Sequence, residues 1–312
     1  MKKITFILLA GSISLFSFSQ NIDKIINTAE VNRIEKILSA DNMQGRKPLT
    51  TGIEKAAEFI AGEFKKNGLQ FFEGLNSYKQ KLEGSKLFNV VSILPGKSKK
   101  GEYVIFSAHY DHLGIGKPND AGDSIYNGAN DDASGVTAVI LLSKYLSQLN
   151  NNERTIIFVA FTNEESGGDG SSYFSKQLNP DKVVAMFNIE MIGTESKWGI
   201  NSAYITGYEK SNMGEILQKN LMGSKFHFKP DPYPTEKLFY RSDNAALAAL
   251  GVPAHTISTS KMDSEKFYHT QEDEMETLDM NNMTEIIKSI AISSKTIVNG
   301  KDMPNRVKKL EE

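Results

Sequence analysis

The residues with chemistry to offer cluster first between Ser107 and Ser134, in the run SAHYDHLGIGKPNDAGDSIYNGANDDAS. An apolar strand from Tyr103 to Ala108 ends in His109-Tyr110-Asp111. A polar, glycine-rich loop then closes in Asn130-Asp131-Asp132-Ala133-Ser134-Gly135, and an apolar helix starts near Val136. Imidazoles and carboxylates held at strand ends around a glycine loop are what a divalent cation with N and O ligands needs. Residues i and i+2 of an extended strand point the same way. Asp111 can therefore accept the second N–H of His109 and fix its tautomer, as carboxylates do for metal-bound imidazoles. Taken alone, the His-x-Asp pattern is short, and a surface His beside a surface Asp accounts for it as readily. Asp131 can bridge two cations with its two oxygens, with Asp132 as a structural neighbour capping the next helix. A solvated loop is the plain alternative.

Further acids lie downstream. Glu164-Glu165 follow the apolar run RTIIFVAF in FTNEESGGDGSS. Two adjacent acids after a buried strand are costly unless paired. Because neighbours point to different sides, one suits a metal and the other a proton shuttle; a loop acid pair is the alternative. Glu190 interrupts the apolar run MFNIEMIG and needs a cation or a hydrogen-bond partner. His269 sits in FYHTQED, where an ordinary loop histidine is the competing reading. Of the remaining histidines, His255 is expected on a core strand and His227 on the surface. His112 is expected near the site but facing away from His109.

Composition narrows the chemistry. The 312 residues contain no cysteine, so thiolate ligands and nucleophiles are excluded. Any metal must rest on His, Asp and Glu, which points to a hard or borderline ion: zinc, manganese or cobalt. A net charge of -2 gives no nucleic-acid or anionic-membrane footprint. Met1-Lys2-Lys3, the apolar run Ile4 to Phe18 and Ser17-Phe18-Ser19 read as a secretory leader cut after Ser19, with an uncleaved anchor as the alternative. The expectation is a signal peptide over residues 1–19 and one catalytic domain over residues 20–312, exported to the periplasm or beyond the cell. Losing Lys2 and Lys3 takes the charge from -2 to -4.

Elements must position these groups. Helical spacing covers Asn21 to Ser39, Gly52 to Asn67, Val136 to Leu149, Ser171 to Leu178, Lys210 to Met222, Asp243 to Leu250 and Met280 to Asn299. Strands are expected at Leu87–Leu94, Tyr103–Ala108, Arg154–Phe161, Val183–Ile189, Ala203–Thr206 and Val252–Ser258. Leu69 to Leu82 reads as an antiparallel pair turning at Gly74-Leu75-Asn76. Met43 to Thr51 and Lys229 to Lys237 read as loops, Lys97 to Lys100 as a solvated hairpin tip, and Lys308 to Glu312 as a fraying tail. The alternation implies an α/β fold, a mostly parallel mixed twisted sheet sandwiched between helices. His109, Glu164-Glu165 and Glu190 then all fall past the C-terminal ends of strands, where open α/β sheets bind ligands.

As an ordered set, the blocks SAHYDHLG, NGANDDASGVTAV, FTNEESGGDGSSYF, FNIEMIG, YRSDNAALAALGVP and YHTQEDEMETLD resemble the co-catalytic di-zinc aminopeptidase family. That family includes bacterial leucyl aminopeptidases, glutamate carboxypeptidases and glutaminyl cyclases. GRKPLTTGIEKAAEFIAGEFKKNGL and NVVSILPGK match too, so the resemblance spans about Gly45 to Asp279. It implies a zinc-aminopeptidase (phosphorylase/hydrolase-like) fold and two zinc ions, with a peptide or small aminoacyl compound as substrate. It also implies that Asp131 bridges the ions, Glu165 and His269 complete one, and His109 and Glu190 the other. Glu164 would be the general base and Asp111 the orienter of His109. Asp243 would be an acid supporting the ligands from behind or one on the substrate side, with Tyr240 or Arg241 as oxyanion donor. The family usually has Asp where this chain has Glu190, one methylene longer. Three rivals stay open. A one-zinc glutaminyl cyclase shares the HYD and EE motifs, and a carboxypeptidase would use Arg241 for the substrate carboxylate. The third is a non-catalytic binding module.

Overall fold

A computed structural model describes residues 22–310 of the chain. The leader expected over residues 1–19 lies outside the described residues. The strands, in chain order, are β1 (Gln70–Phe71), β2 (Lys79–Lys81), β3 (Phe88–Leu94), β4 (Lys99–His109), β5 (Gly114–Ile115), β6 (Ile125–Tyr126), β7 (Arg154–Phe161), β8 (Val183–Ile189), β9 (Ser202–Ile205), β10 (His227–Pro230) and β11 (Ala254–Ser258). The helices are α1 (Thr28–Leu38), α2 (Thr51–Lys66), α3 (Ser134–Leu149), α4 (Asp169–Lys176), α5 (Met213–Asn220), α6 (Ala245–Ala249), α7 (Met280–Ser293) and α8 (Lys295–Val298).

Nine strands make one sheet in the order β1-β3-β7-β4-β8-β11-β9-β10, with β2 also on β3. Its centre is parallel: β4 pairs with β7 on one side and β8 on the other, and β8 pairs with β11. Such strands are covered on both faces, so they read as unbroken apolar runs rather than alternations. β7 is buried at all eight positions. Its Ile156, Phe158 and Ala160 pack with β4 and β8 residues against α1, α2, α3, α5 and α7. Ile157, Val159 and Phe161 face the opposite layer, where Phe174 of α4, Leu247 of α6 and Val307 close the core. This is the α/β arrangement of a mixed sheet between helices expected above.

The edges differ from expectation. Leu69 to Leu82 do not pair with each other. β1 and β2 both lie antiparallel on β3, with Gln70 opposite Ile93 and Lys79 opposite Val90. One edge of β3 is taken by β7, and its other edge is long enough for both short strands. Lys99 is no hairpin tip, because it already donates its N–H to Glu153 and begins β4. The 229–237 loop starts inside β10. The last helix breaks at Ser294 into α7 and α8. The C-terminal stretch does not fray within the described residues. Val307 is buried and donates to Gly251 O, and Leu310 donates to Ala249 O.

Candidate metal centre

Parallel pairing in the order β7-β4-β8 puts three strand ends side by side. His109 is the last residue of β4 and sits opposite Phe161, the last of β7. Glu164 and Glu165 follow three and four residues later, and Glu190 directly follows β8. Asp131 comes from the loop before α3, and His269 from the loop after β11. Three residues here hold left-handed backbone without being glycine: Asn163 (φ 61°) before Glu164, Met191 (φ 51°) after Glu190, and His269 itself (φ 59°). Such conformations cost about 1–3 kcal/mol each and persist where the surroundings over-determine them, commonly at functional sites.

His109, Asp131 and Glu165 form one group, each offering a ligand atom within 4.8 Å of the others. Asp131 faces two imidazoles with different oxygens. His109 Nε2 lies 3.1 Å from Oδ1, and His269 Nε2 lies 3.3 Å from Oδ2. His269 Nε2 is also 2.9 Å from Glu165 Oε2. His109 and Asp131 are buried, and His269 is partly exposed. Despite these distances, Nε2 of both His109 and His269 is buried without a hydrogen-bond partner. Ring nitrogens shielded from water, unbonded and converging on carboxylate oxygens, suit a cation between them.

His109 is turned by its other nitrogen. Nδ1 lies 3.1 Å from the backbone carbonyl of Asp111, which can only accept, so Nδ1 carries the proton and Nε2 is left as a ligand atom. This corrects the bond expected to the Asp111 carboxylate, which lies 3.8 Å away and instead accepts the Glu164 N–H at 3.1 Å. The chain leaves the strand at His109, so the i, i+2 rule no longer aims Asp111 at the ring.

His112 corrects the sequence reading more strongly. It is buried, and its Nδ1 lies 2.7 Å from Glu165 Oε1, the oxygen that His269 leaves free. Glu190 is partly exposed, accepts a hydrogen bond from the Ser242 hydroxyl on Oε2, and has Asn188 Nδ2 at 3.5 Å from the same oxygen. Asp243 is buried with neither carboxylate oxygen bonded, and it lines a cavity of about 520 Å³ together with Glu164 and Tyr240. Arg241 is exposed, pairs with Glu236 at 3.2 Å, and sits between that cavity and another of about 140 Å³ lined by Glu190, Tyr204, Met262 and Tyr268. Tyr268 stacks on His269 with ring centroids 3.8 Å apart. Nothing in the sequence singled out Ser242, Tyr268 or Asp273, though each lies in the same motif as a predicted residue. His255 is buried on β11 and His227 is exposed at the start of β10, both as read.

Asp132 sits behind the site. Its carboxylate accepts the N–H of Gly135 (2.9 Å), Met191 (3.0 Å) and His109 (3.3 Å), joining α3, β8 and β4. A Cβ at Gly135 would meet both Asp132 oxygens at 2.5 Å, so glycine is required for that approach.

Seven acids (Asp111, Asp131, Asp132, Glu164, Glu165, Glu190, Asp243) face three imidazoles, and the titration behaviour reflects that excess. Burial pushes the Asp131 carboxyl up, but the imidazoles of His109, His269 and His112 outweigh it and hold Asp131 well below the usual range. Burial, with the charges of Glu190, Asp243 and Asp131, pushes Glu164 up to about 10 against the pull of His109. Burial and neighbouring acids likewise raise Glu190, and raise Asp243 to about 7. The carboxylates of Asp131 and Glu165 raise His269 to about 10. A site that keeps so many carboxylates together is completed by positive charge. An imidazole–carboxylate donor set without sulfur fits zinc.

The chain is similar to known proteins. A family model described as Peptidase family M28 matches residues 89–293. A leucine aminopeptidase 1 of Ajellomyces dermatitidis is 30% identical over 217 residues, 64% of this chain and 54% of the relative. The chain thus spans about half the length of that curated relative. Among solved structures, the LapA aminopeptidase of Legionella pneumophila superposes with a TM-score of 0.73 at 18% identity, covering 96% of this chain and 78% of its own. A Porphyromonas gingivalis glutaminyl cyclase superposes with a TM-score of 0.68 at 17% identity, over 88% and 99% of the respective chains. At these identities the superpositions bear on the fold alone.

Proposed function

We propose that this chain, which belongs to peptidase family M28, is a zinc-dependent aminopeptidase that hydrolyses N-terminal peptide bonds at a two-cation site. The observation that carries the reading is the placement of Asp131, with one oxygen toward His109 and the other toward His269. His109 and Glu190 would hold one ion, Glu165 and His269 the other, and Asp131 both. Bound zinc acts as a Lewis acid, acidifying water and polarising the scissile carbonyl. Glu164 is the base: a carboxylate oxygen takes the proton from the attacking water and returns it to the leaving amine nitrogen. The Asp111 carboxylate fixes the backbone of Glu164, and its carbonyl fixes the His109 ring. Asp243, buried and unbonded beside Glu164, suits the cationic end of a substrate, with Tyr240 or Arg241 at the same cavity as oxyanion donor. Peptide and aminoacyl compounds are the substrates, and the residue 1–19 leader would direct export.

Turnover of leucinamide, its N-acetyl form and an N-terminal glutaminyl peptide tests the reading, before and after chelation and zinc add-back. Leucinamide should be hydrolysed and its N-acetyl form should not, with loss on chelation and recovery with zinc, and the glutaminyl peptide should not be cyclised. Cyclisation of the glutaminyl peptide without hydrolysis of leucinamide overturns it. That outcome is the second reading, a one-zinc cyclase. It is favoured by His109, Asp131 and Glu165 forming a complete three-ligand group by themselves, with Glu190 already bonded to Ser242.

A further inference from the structure

Arg46 is fully buried although it ends a short 3-10 helix (Asp41–Arg46), in a stretch that reads as loop in the sequence, before α2 and far from the site in sequence. A guanidinium carries five N–H donors in a fixed fork. All five meet backbone carbonyls here: Nε donates to Tyr110 O (2.9 Å), Nη1 to Leu38 O (2.8 Å) and Asn127 O (2.6 Å), and Nη2 to Gly128 O (2.8 Å) and Asp131 O (3.4 Å). Three of those carbonyls belong to the loop that carries Asp131.

The N–H groups of the same loop turn the other way. Asp273, also buried, accepts Asn130 N–H on Oδ1 (2.8 Å) and Asp131 N–H on Oδ2 (3.0 Å), and its own carbonyl accepts Ala129 N–H (3.0 Å). Asp273 stands four residues after His269, so the anchor of one imidazole loop also holds the bridging loop. A cation bonds carbonyls on one side of residues 127–131, and an anion bonds amides on the other. Charge-assisted bonds of this kind are about twice as strong as neutral ones.

We propose that Arg46 and Asp273 are positioning residues that clamp residues 127–131 between them and so set how tightly the site at Asp131 holds its cation. The proposal rests on the metal reading above. Asp273→Asn keeps the shape but presents one carbonyl oxygen and one amide NH2 to two N–H groups, so one bond becomes a clash of donors. Arg46→Lys leaves three donors for five carbonyls.

The test is zinc affinity of chelator-stripped protein by competition with a chromophoric chelator, alongside thermal unfolding of the same stripped protein and kcat at saturating zinc. Arg154 is the comparison, because it too caps buried carbonyls, those of Ile297 and Asp302, away from the site. Asp273→Asn and Arg46→Lys should weaken zinc binding about 10–100-fold, as loss of outer partners of a ligand does. Their kcat should return toward wild type when zinc saturates, and Arg154→Lys should unfold at lower temperature with zinc affinity unchanged. Zinc affinity within twofold of wild type in Asp273→Asn overturns the clamp, as does an equal loss in Arg154→Lys. Failure of the unaltered protein to bind zinc at all overturns the metal reading and the clamp with it.

Discussion

Glu164 shows how strongly the site depends on positive charge. Burial and three neighbouring acids push its carboxyl up to about 10, which disfavours the ionised form that a base needs. Divalent charge nearby would favour the ionised form that the proposed base role needs. Glu164→Gln should therefore keep zinc, measured by elemental content, while kcat falls about 10²–10⁴-fold. Turnover near wild type would remove Glu164 from the role. His112 acts through Glu165, whose free oxygen it holds at 2.7 Å. His112→Ala should weaken zinc binding about 10–100-fold by chelator competition, and unchanged affinity would make His112 a packing residue only. Residue types exposed His109, Asp131, Glu165 and His269 in the sequence, because imidazoles and acids next to apolar runs are conspicuous. His112 was hidden by the end of β4: the alternation that aims side chains stops at His109, and the chain turns inward. Arg46 was hidden for a different reason. Its five partners are backbone carbonyls, which no pattern of side chains announces.

Strand ends and the α3 terminus do the positioning. Asp132 ties α3, β8 and β4 together through three N–H groups, and Gly135 is the residue that lets its carboxylate approach. Gly135→Ala should cost about 1–3 kcal/mol in denaturant unfolding, the range for overpacking a filled interior. An unshifted midpoint would mean that the helix moves aside freely. The central strands were readable because burial on both faces leaves long apolar runs such as β7. β1 and β2 were misread because strands of two and three residues carry no periodicity, and their partner is a third strand rather than each other. The C-terminal stretch looked free because its anchors include backbone bonds, Arg306 donating to the carbonyls of Val183 and Pro180, and one buried apolar side chain, Val307, none of which makes a periodic pattern.

The whole molecule adds a pH dependence away from the candidate centre. His255 is buried on β11, donates from Nδ1 to Thr206 O (2.8 Å) and meets the Ser211 hydroxyl at Nε2 (2.7 Å), so the neutral ring is satisfied. Burial lowers its pKa from 6.5 to about 4. The unfolded chain then binds a proton that the fold excludes. The contribution of His255 is full above pH 6.5 and is lost as pH falls toward 4, to a total of about 3 kcal/mol. Unfolding temperatures of wild type and His255→Asn should converge between pH 7 and pH 4, and a constant gap would contradict the assignment. The α/β architecture and the edge that carries the site were legible because parallel strands place their C-terminal ends together. Which oxygen faces which imidazole was not, since it depends on loops without periodicity.

The paired-cation arrangement is tested most directly by calorimetric titration of zinc into chelator-stripped protein, wild type and Asp131→Asn in parallel. The account predicts two equivalents per chain for the wild type and loss of both in the variant, because both ions share that one carboxylate. Equal zinc uptake by the two proteins would contradict it.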